Sequence, residues 1–171
     1  MKPKGASPLR VKSMKIIDTP LLDQLTLQAR SNPRLRQHFN LHRSYDEPSQ
    51  RLLNALEPET YIRPHRHLRD PKPENFIGLS GRMVLLTFSE EGTIEQVLPF
   101  GPGEGILGID LPPGIWHTVI CLESGSVLLE AKPGPFLPIY DKDLAPWAPE
   151  EGSAEAVGYL EDLRTVVLTG A

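Results

Sequence analysis

Residues 65–81 read HRHLRDPKPENFIGLSG, and residues 112–117 read PPGIWH. Pro64 disfavours a helix immediately before the first of these stretches, which indicates an extended chain there. In an extended chain residues i and i+2 face the same way, so His65 and His67 would present two imidazoles on one side. Such a pair can chelate a metal ion, although paired histidines also occur as ordinary half-buried polar residues.

The sequence around this histidine pair predicts a mainly β fold. Stretches rich in Val, Ile, Leu, Thr and Phe alternate with turn-forming clusters of Gly, Pro and acidic or small polar residues. Turns at intervals of roughly eight to twelve residues are typical of an antiparallel sandwich or barrel. The predicted strands are residues 50–56, 76–79, 82–89, 93–100, 105–111, 117–122 and 126–132.

Helical patterns are predicted only towards the two ends of the chain. Thr19 and Pro20 suit the cap and the first position of a helix that runs to Ser31, and Ser153 suits the cap of a short helix to Leu163. A chain of 171 residues has the size of one domain. The expected segments are a flexible extension over 1–13 and one domain over 14–171, with a helical lead-in over 14–49, a β-barrel over 50–138 and a C-terminal segment over 139–171.

The order of several residues resembles the two-part signature of the cupin superfamily. The residues that carry the resemblance are, in chain order, His65, His67, Glu74, Gly81, Pro112, Gly114 and His117. The resemblance implies a cupin-type antiparallel β-barrel, or jelly roll, in which His65, His67, Glu74 and His117 bind one divalent metal ion. The segment between His67 and Glu74 is longer than is usual in cupins, so residues 69–73 are expected to bulge out.

Three further stretches are similar to the WbuC family of cupin-fold metalloproteins. They are residues 50–55 (QRLLNA), 61–67 (YIRPHRH) and 147–151 (WAPEE). Members of this family are bacterial and are often encoded among genes for surface polysaccharide assembly. The resemblance therefore implies a bacterial protein of polysaccharide biosynthesis, with a sugar or a nucleotide sugar as its small-molecule ligand.

The composition limits the metal chemistry. Cys121 is the single cysteine, so neither an intramolecular disulfide nor a thiolate-rich metal cluster can form. Imidazole and carboxylate ligands suit Fe, Mn, Ni or Zn. Six-coordinate binding by the four implied ligands would leave two positions open, whereas a tetrahedral zinc would be closed. The sequence leaves the identity of the metal open.

Strand alternation predicts polar side chains beside the metal ligands. Tyr61 and Arg63 would share the face of His65 and His67, and their phenol and guanidinium groups would suit an anionic or polyhydroxy ligand. Glu130 and Lys132 alternate with apolar residues, so both would lie on one strand face, either lining the barrel or forming an ion pair outside it.

Two other segments supply candidate ligand-binding residues. In residues 50–56, Gln50 and Asn54 would share one face with Arg51 on the other, and the WbuC resemblance favours Arg51 and Asn54. His42, and less so His38, would lie on a loop that covers the mouth of the barrel. The candidate substrate-binding residues are Tyr61, Arg63, Arg51, Asn54, Glu130 and His42, and no catalytic residue is assigned.

Charge and hydropathy argue against several other classes of protein. The formal net charge is -4, and the basic residues near the N-terminus lack interleaved aromatic residues, so nucleic-acid binding is not expected. The sequence contains no apolar run long enough for a membrane span or a signal peptide. We expect a cytoplasmic protein that binds a small molecule and forms a homodimer.

Three functions are consistent with these observations. The first is a metal-dependent enzyme, an isomerase or a dioxygenase, that acts on a small polar molecule. The second is a non-catalytic, metal-dependent binder or sensor, because a fold does not fix a function. The third is a purely structural metal site in an interaction protein.

Overall fold

The computed structural model describes residues 14–138 and 142–170, which form two antiparallel sheets and two helices. In chain order the elements are α1 (Thr19–Ser31), β1 (Arg36–Asn40), β2 (Ser49–Leu56), β3 (His65–Arg66), β4 (Glu74–Ser80), β5 (Met83–Phe88), β6 (Ile94–Phe100), β7 (Gly108–Leu111), β8 (Trp116–Cys121), β9 (Ser126–Pro133), β10 (Asp143–Leu144) and α2 (Ala154–Thr169). The first sheet has the strand order β1-β2-β9-β4-β7, and the second β10-β3-β8-β5-β6. The chain passes repeatedly from one sheet to the other, and the predicted jelly-roll fold is confirmed.

Three apolar clusters hold these layers together. The cluster between the sheets joins Leu56 and Phe76 of the first sheet to Leu85 and Val119 of the second. All six residues of β5 and of β8 are buried, because the outer face of the second sheet is covered by α2 and the segment before it. The outer face of the first sheet packs against α1. Both faces of the β-structure are therefore shielded, and polar residues buried inside it need partners or ligands.

The two helices begin near their predicted first residues. The cap of α1 is Asp18 rather than Thr19, since the Asp18 carboxylate accepts a hydrogen bond from the Leu21 N–H at 3.1 Å. α2 continues past Leu163 and ends at Gly170, which adopts the left-handed conformation that glycine permits at a helix end. Neither helix in the described part of the chain is both long and apolar enough to span a membrane.

The expected helical lead-in over residues 14–49 is wrong in its second half. Residues 36–40 form the edge strand β1, which pairs antiparallel with residues 52–56 of β2. The strand was not predicted because its sequence, RQHFN, offers one apolar residue, Phe39, and no alternating pattern. His38 consequently lies on a strand and not on a loop. The predicted extension over 1–13 lies outside the described residues.

The extended chain expected around Pro64 and the two histidines contains only the two-residue strand β3. Its His65 pairs in register with His117 of β8, and the short β10 pairs along its other side. Residues 67–73 are irregular, as the long spacing before Glu74 predicts. Glu74 is the first residue of β4, where it pairs with Leu111. The long segment therefore leads from β3 in the second sheet to β4 in the first, where Glu74 lies opposite the two histidines.

Candidate metal centre

Four buried side chains converge between the two sheets. His65, His67, Glu74 and His117 each offer one potential ligand atom, and these atoms lie within 4.8 Å of one another. The register of β3 with β8 places His65 beside His117, with ring centroids 4.5 Å apart. The structure thus brings together the residues that the cupin resemblance implies.

Backbone carbonyl groups fix the orientation of two of the imidazoles. His65 Nδ1 lies 3.0 Å from the carbonyl oxygen of Arg63, and His117 Nδ1 lies 2.9 Å from that of Ile115. Since a carbonyl oxygen can only accept, each Nδ1 carries a proton and donates it. In a neutral ring the lone pair is then on Nε2. This arrangement, with one ring nitrogen bonded to the backbone, is typical of metal-binding histidines.

The turn before β8 supports the same cluster from the other side. Gly114 has φ of 85°, a conformation that side-chain-bearing residues rarely adopt, and its N–H donates to the carbonyl oxygen of His67 at 3.1 Å. The glycine of the PPGIWH stretch therefore allows a tight turn that ties the His67 backbone to the strand carrying His117.

The contacts of Glu74 fit a bound cation. Its Oε2 lies 3.0 Å from His117 Nε2 and 3.2 Å from His67 Nε2. The lone pair of a neutral His117 would repel this carboxylate oxygen unless a positive charge lay between them. A proton can bind only one of these nitrogens at a time, whereas a metal ion can bind all the ligand atoms at once. When a metal lies about 2.1 Å from each ligand atom, two ligand atoms at right angles are about 3.0 Å apart. The donor set and its spacing fit one divalent metal ion.

Two of the four residues, Glu74 and His65, are held in the protonation states that metal binding requires. Burial raises the pKa of Glu74, but contacts with His117 and His67 and the charge of Lys132 outweigh burial, so its pKa lies well below the ordinary value. Burial, with the charge of Lys142, lowers the pKa of His65 well below its ordinary value. A carboxylate and a neutral imidazole are the forms that bind metal ions.

A chain of polar contacts extends from the cluster along the first sheet. Lys132 Nζ donates to Glu74 Oε1 at 3.2 Å and lies 3.0 Å from Glu130 Oε1. The other carboxylate oxygen of Glu130 accepts a hydrogen bond from Asn54 Nδ2 at 2.8 Å. Lys132 thereby holds the outer oxygen of Glu74 while the inner one faces the histidines.

A cavity of about 390 Å³ opens above the cluster. Its lining includes His65, Glu74 and His117 together with apolar residues of both sheets, among them Leu56 and Val119. The polar side chains around them include His38, His42, Asn54, Glu130 and Lys132. A larger cavity, of about 720 Å³, lies beside α2 and contains none of the four clustered residues. The smaller cavity is the one in which chemistry at the cluster can occur.

The structure places three of the six predicted substrate-binding residues in this cavity and three outside it. Asn54, Glu130 and His42 line the cavity. Arg51 lies on the opposite face of β2, as the strand alternation predicts, and its guanidinium donates to Glu47 Oε2 at 2.8 Å. The Arg51 side chain therefore forms a surface ion pair and does not reach the cluster.

Tyr61 and Arg63 also lie outside the cavity, contrary to the expected alternation with His65. The Tyr61 hydroxyl donates to the carbonyl oxygen of Pro149 at 2.9 Å, and the Arg63 guanidinium donates to that of Ala145 at 2.8 Å. Residues 61–64 do not form a strand, so the period of two does not apply to them. Ile62 lines the cavity in their place. These two polar side chains secure the C-terminal segment instead.

Two aromatic residues of the cavity wall were not predicted. Tyr45 and Phe136 come from loops, and their ring centroids lie 5.0 Å apart. Loops have no periodicity from which a direction can be read. For Phe136 the available signal was an aromatic ring directly after Gly134 and Pro135, in a chain with only 6% aromatic residues.

The bulge before Glu74 also shapes the cavity. Lys72 is buried, with its Nζ 2.6 Å from an Asp70 carboxylate oxygen, and it donates to the carbonyl oxygen of Pro135 at 2.6 Å. The Phe136 N–H in turn donates to the Tyr45 carbonyl oxygen at 2.7 Å. The long spacing in the sequence thus supplies a buried cation that ties together the loops around the cavity.

Comparisons with known proteins support the fold and leave the function open. A family described as "Domain of unknown function (DUF6016)" matches residues 17–99, just under half of the chain. No curated protein matches.

Solved structures resemble this chain at low sequence identity. Protein SO0799 from Shewanella oneidensis has a TM-score of 0.50 at 16% identity, over 77% of this chain and 83% of its own. CapF from Staphylococcus aureus has a TM-score of 0.49 at 18% identity, over 63% of this chain and only 28% of its own. KdgF from Halomonas sp. has a TM-score of 0.47 at 17% identity, over 63% of this chain and 84% of its own. With its two antiparallel sheets, the chain has the cupin-type fold.

Proposed function

We propose that the protein is a metal-dependent enzyme of the WbuC type that acts on a small polar molecule. The observation that carries the proposal is the buried cluster of three histidines and Glu74 at a cavity of about 390 Å³. Cavities of this size are typical of small-molecule sites. A sugar or a nucleotide sugar of bacterial surface polysaccharide biosynthesis is the proposed class of substrate.

Each residue around the cluster and the cavity has a role in such an enzyme. His65, His67, Glu74 and His117 would hold the metal, which supplies Lewis acidity or, for a redox metal, electron transfer. The carbonyl groups of Arg63 and Ile115 orient two of the imidazoles. Asn54 and Glu130 present an amide and a carboxylate to the hydroxyl groups of a sugar, while the apolar residues of the wall limit the access of water.

A non-catalytic, metal-dependent binder is the second candidate, and one observation favours it. An isomerase needs a group that accepts a proton. Among the described residues that line the cavity, the carboxylates are Glu74 and Glu130, and Glu130 is already bonded to Lys132 and Asn54. Both oxygens of the Glu130 carboxylate are thus already engaged by donors.

Elemental analysis and a substrate screen test the two candidates together. The protein would be stripped of metal, reloaded separately with Fe, Mn, Ni or Zn, and assayed for bound ion. Each loaded form would then be incubated with sugar phosphates and nucleotide sugars, with products followed by mass spectrometry. We expect one ion per chain and turnover with at least one metal.

The outcomes separate the candidates clearly. Turnover that Glu130→Gln reduces while metal content stays at one ion identifies an enzyme in which Glu130 participates. Saturable binding without turnover identifies the binder. The absence of a stoichiometric ion contradicts both. Arg51→Leu is the matched control, because its side chain lies on the opposite face of the same sheet and its loss should change neither metal content nor turnover.

A further inference from the structure

His42 lies in the cavity wall with one ring nitrogen unused. The residue belongs to the connection between β1 and β2, and its side chain is buried, with 5% of the residue exposed. It lines the same cavity as the metal cluster. In the described part of the chain, its Nε2 is buried and has no hydrogen-bond partner. A buried polar atom of this kind indicates a missing partner.

The contacts of the other ring nitrogen indicate what that partner must be. His42 Nδ1 lies 3.0 Å from the backbone nitrogen of Arg51 and 2.9 Å from its carbonyl oxygen. Two backbone N–H groups, those of Leu41 at 2.8 Å and His42 at 3.4 Å, already donate to that carbonyl oxygen, and the Arg51 N–H donates to Nδ1. Both lone pairs of the oxygen are therefore used, and Nδ1 acts as an acceptor. A nitrogen that accepts carries no proton, so the neutral ring has its proton on Nε2. His42 therefore offers the cavity a buried N–H donor that requires an acceptor.

The charge of the cavity indicates that the acceptor belongs to an anion. Two ammonium groups, those of Lys132 and Lys142, line the cavity, and their charges are balanced by two carboxylates, Glu74 and Glu130. Arg34 and Arg36 also line the cavity and share a single carboxylate, Glu151. One arginine charge is thus in excess before a metal is counted, and a divalent ion would add two more positive charges. A cavity with this excess favours negatively charged ligands.

The volume of the cavity limits the size of that anion. At about 30 Å³ per water molecule, 390 Å³ corresponds to about 13 waters. A ligand of monosaccharide size fills such a space. A nucleotide sugar is several times larger, and most of it would remain outside the enclosed part.

We propose that the ligand of this site is an acidic molecule of monosaccharide size, whose carboxylate or phosphate oxygen accepts a hydrogen bond from His42 Nε2. The inference rests on the proposed function, since it places the rest of the ligand at the metal cluster. A sugar acid offers a carboxylate oxygen and a sugar phosphate a phosphate oxygen as the acceptor, so the experiment uses one molecule of each kind.

Binding measurements on matched probes test the inference. The probes are D-glucuronate, glucose 6-phosphate and neutral D-glucose, titrated by calorimetry into the metal-loaded protein. We expect at least one acidic probe to bind ten times or more tightly than D-glucose. His42→Leu should abolish this preference. His42→Gln keeps an N–H donor and should retain part of this preference for the acidic probes. Both His42 variants lose the contact of Nδ1 with Arg51, so a difference between them reports the N–H donor.

The controls distinguish failure of this inference from failure of the metal site. Metal content and thermal unfolding are measured for every variant, and Arg51→Leu should behave as the unmodified protein. If one ion is bound but acidic and neutral probes bind equally, or if no acidic probe binds, the inference is wrong and the metal site stands. A preference that survives in His42→Leu overturns the role of His42. A protein that binds no metal contradicts the proposed function itself.

Discussion

Two carboxylates in this molecule each lie between basic side chains, and they differ in what those bases are. Glu74 is 3% exposed and faces His67 and His117. Glu151 is 33% exposed and accepts hydrogen bonds from Arg34 and Arg36 at 2.6 to 2.8 Å. Guanidinium groups are permanently charged and neutralise Glu151, whereas imidazoles near neutral pH supply lone pairs.

The difference explains why only one of the two clusters is a candidate metal site. At Glu151 two permanent cations already satisfy the carboxylate, and the ion pairs join the start of β1 and the segment before it to the turn before α2. At Glu74 the His67 and His117 Nε2 atoms face the carboxylate, and a backbone carbonyl orients His117. A divalent ion would be repelled by the two arginines at Glu151 and bound by the histidines at Glu74.

The largest expected effect is on metal affinity. His117→Ala or Glu74→Ala removes one of four ligands, and we expect each to weaken binding by about 100- to 1000-fold, or about 3 to 4 kcal/mol. Competition with a chromogenic chelator measures the affinity. Glu151→Gln is the control and should leave it unchanged. An equal loss in Glu151→Gln would remove the distinction between the two clusters.

A smaller effect is expected on stability. A ligand that binds only the folded state at a free concentration of 100 times Kd raises the free energy of unfolding by about 2.7 kcal/mol. We expect this increment for the unmodified protein and for Glu151→Gln in urea titrations with and without the metal. Glu74→Ala should gain little under the same conditions. A metal that stabilises Glu74→Ala to the same extent must bind elsewhere.

The smallest effect concerns Glu151 and depends on pH. Burial raises the pKa of Glu151, but hydrogen bonds from Arg34 and Arg36 outweigh burial and lower its pKa to about 2. Because the folded-state pKa is depressed, the stabilisation is complete above the ordinary value of 4.5 and is lost as the pH falls towards 2. Since Arg34 is 61% exposed, solvent screening reduces the contribution to about 1 kcal/mol.

Urea unfolding of the metal-free protein and of Glu151→Gln checks this dependence. The difference between the two free energies of unfolding should be about 1 kcal/mol at pH 7 and should shrink below pH 4.5. A difference that stays constant down to pH 3 would show that the ion pairs with Arg34 and Arg36 do not lower the Glu151 pKa.

Most strands were predictable from the sequence, whereas the loops and the edge strand β1 were not. Strands β2, β4, β5, β6, β8 and β9 coincide closely with the predicted segments, because strands favour runs of apolar and β-branched residues and the turns between them need Gly, Pro or small polar residues. The edge strand β1 was missed. Its residues are only partly buried or exposed, and its place is fixed by pairing with β2.

The candidate site shows the same division. The two-residue spacing of His65 and His67 and the PPGIWH turn are local features, so their joint resemblance to a known signature located the cluster. Tyr61 and Arg63 follow the same spacing, yet they turn to the C-terminal segment because residues 61–64 do not form a strand. Periodicity determines direction only where a neighbouring strand enforces it.

The sequence by itself determined a mainly β sandwich or barrel and the exclusion of a thiolate site, because these depend on composition and on the spacing of turns. The jelly roll and the four converging residues were implied by the resemblance of two local motifs to the cupin signature. Only the tertiary structure decided which residues line the cavity. His42 in a connection and Phe136 beyond β9 line it, and Lys72 in the bulge holds the carbonyl group of Pro135 beside Phe136. These contacts join segments distant in sequence, and no local pattern records them.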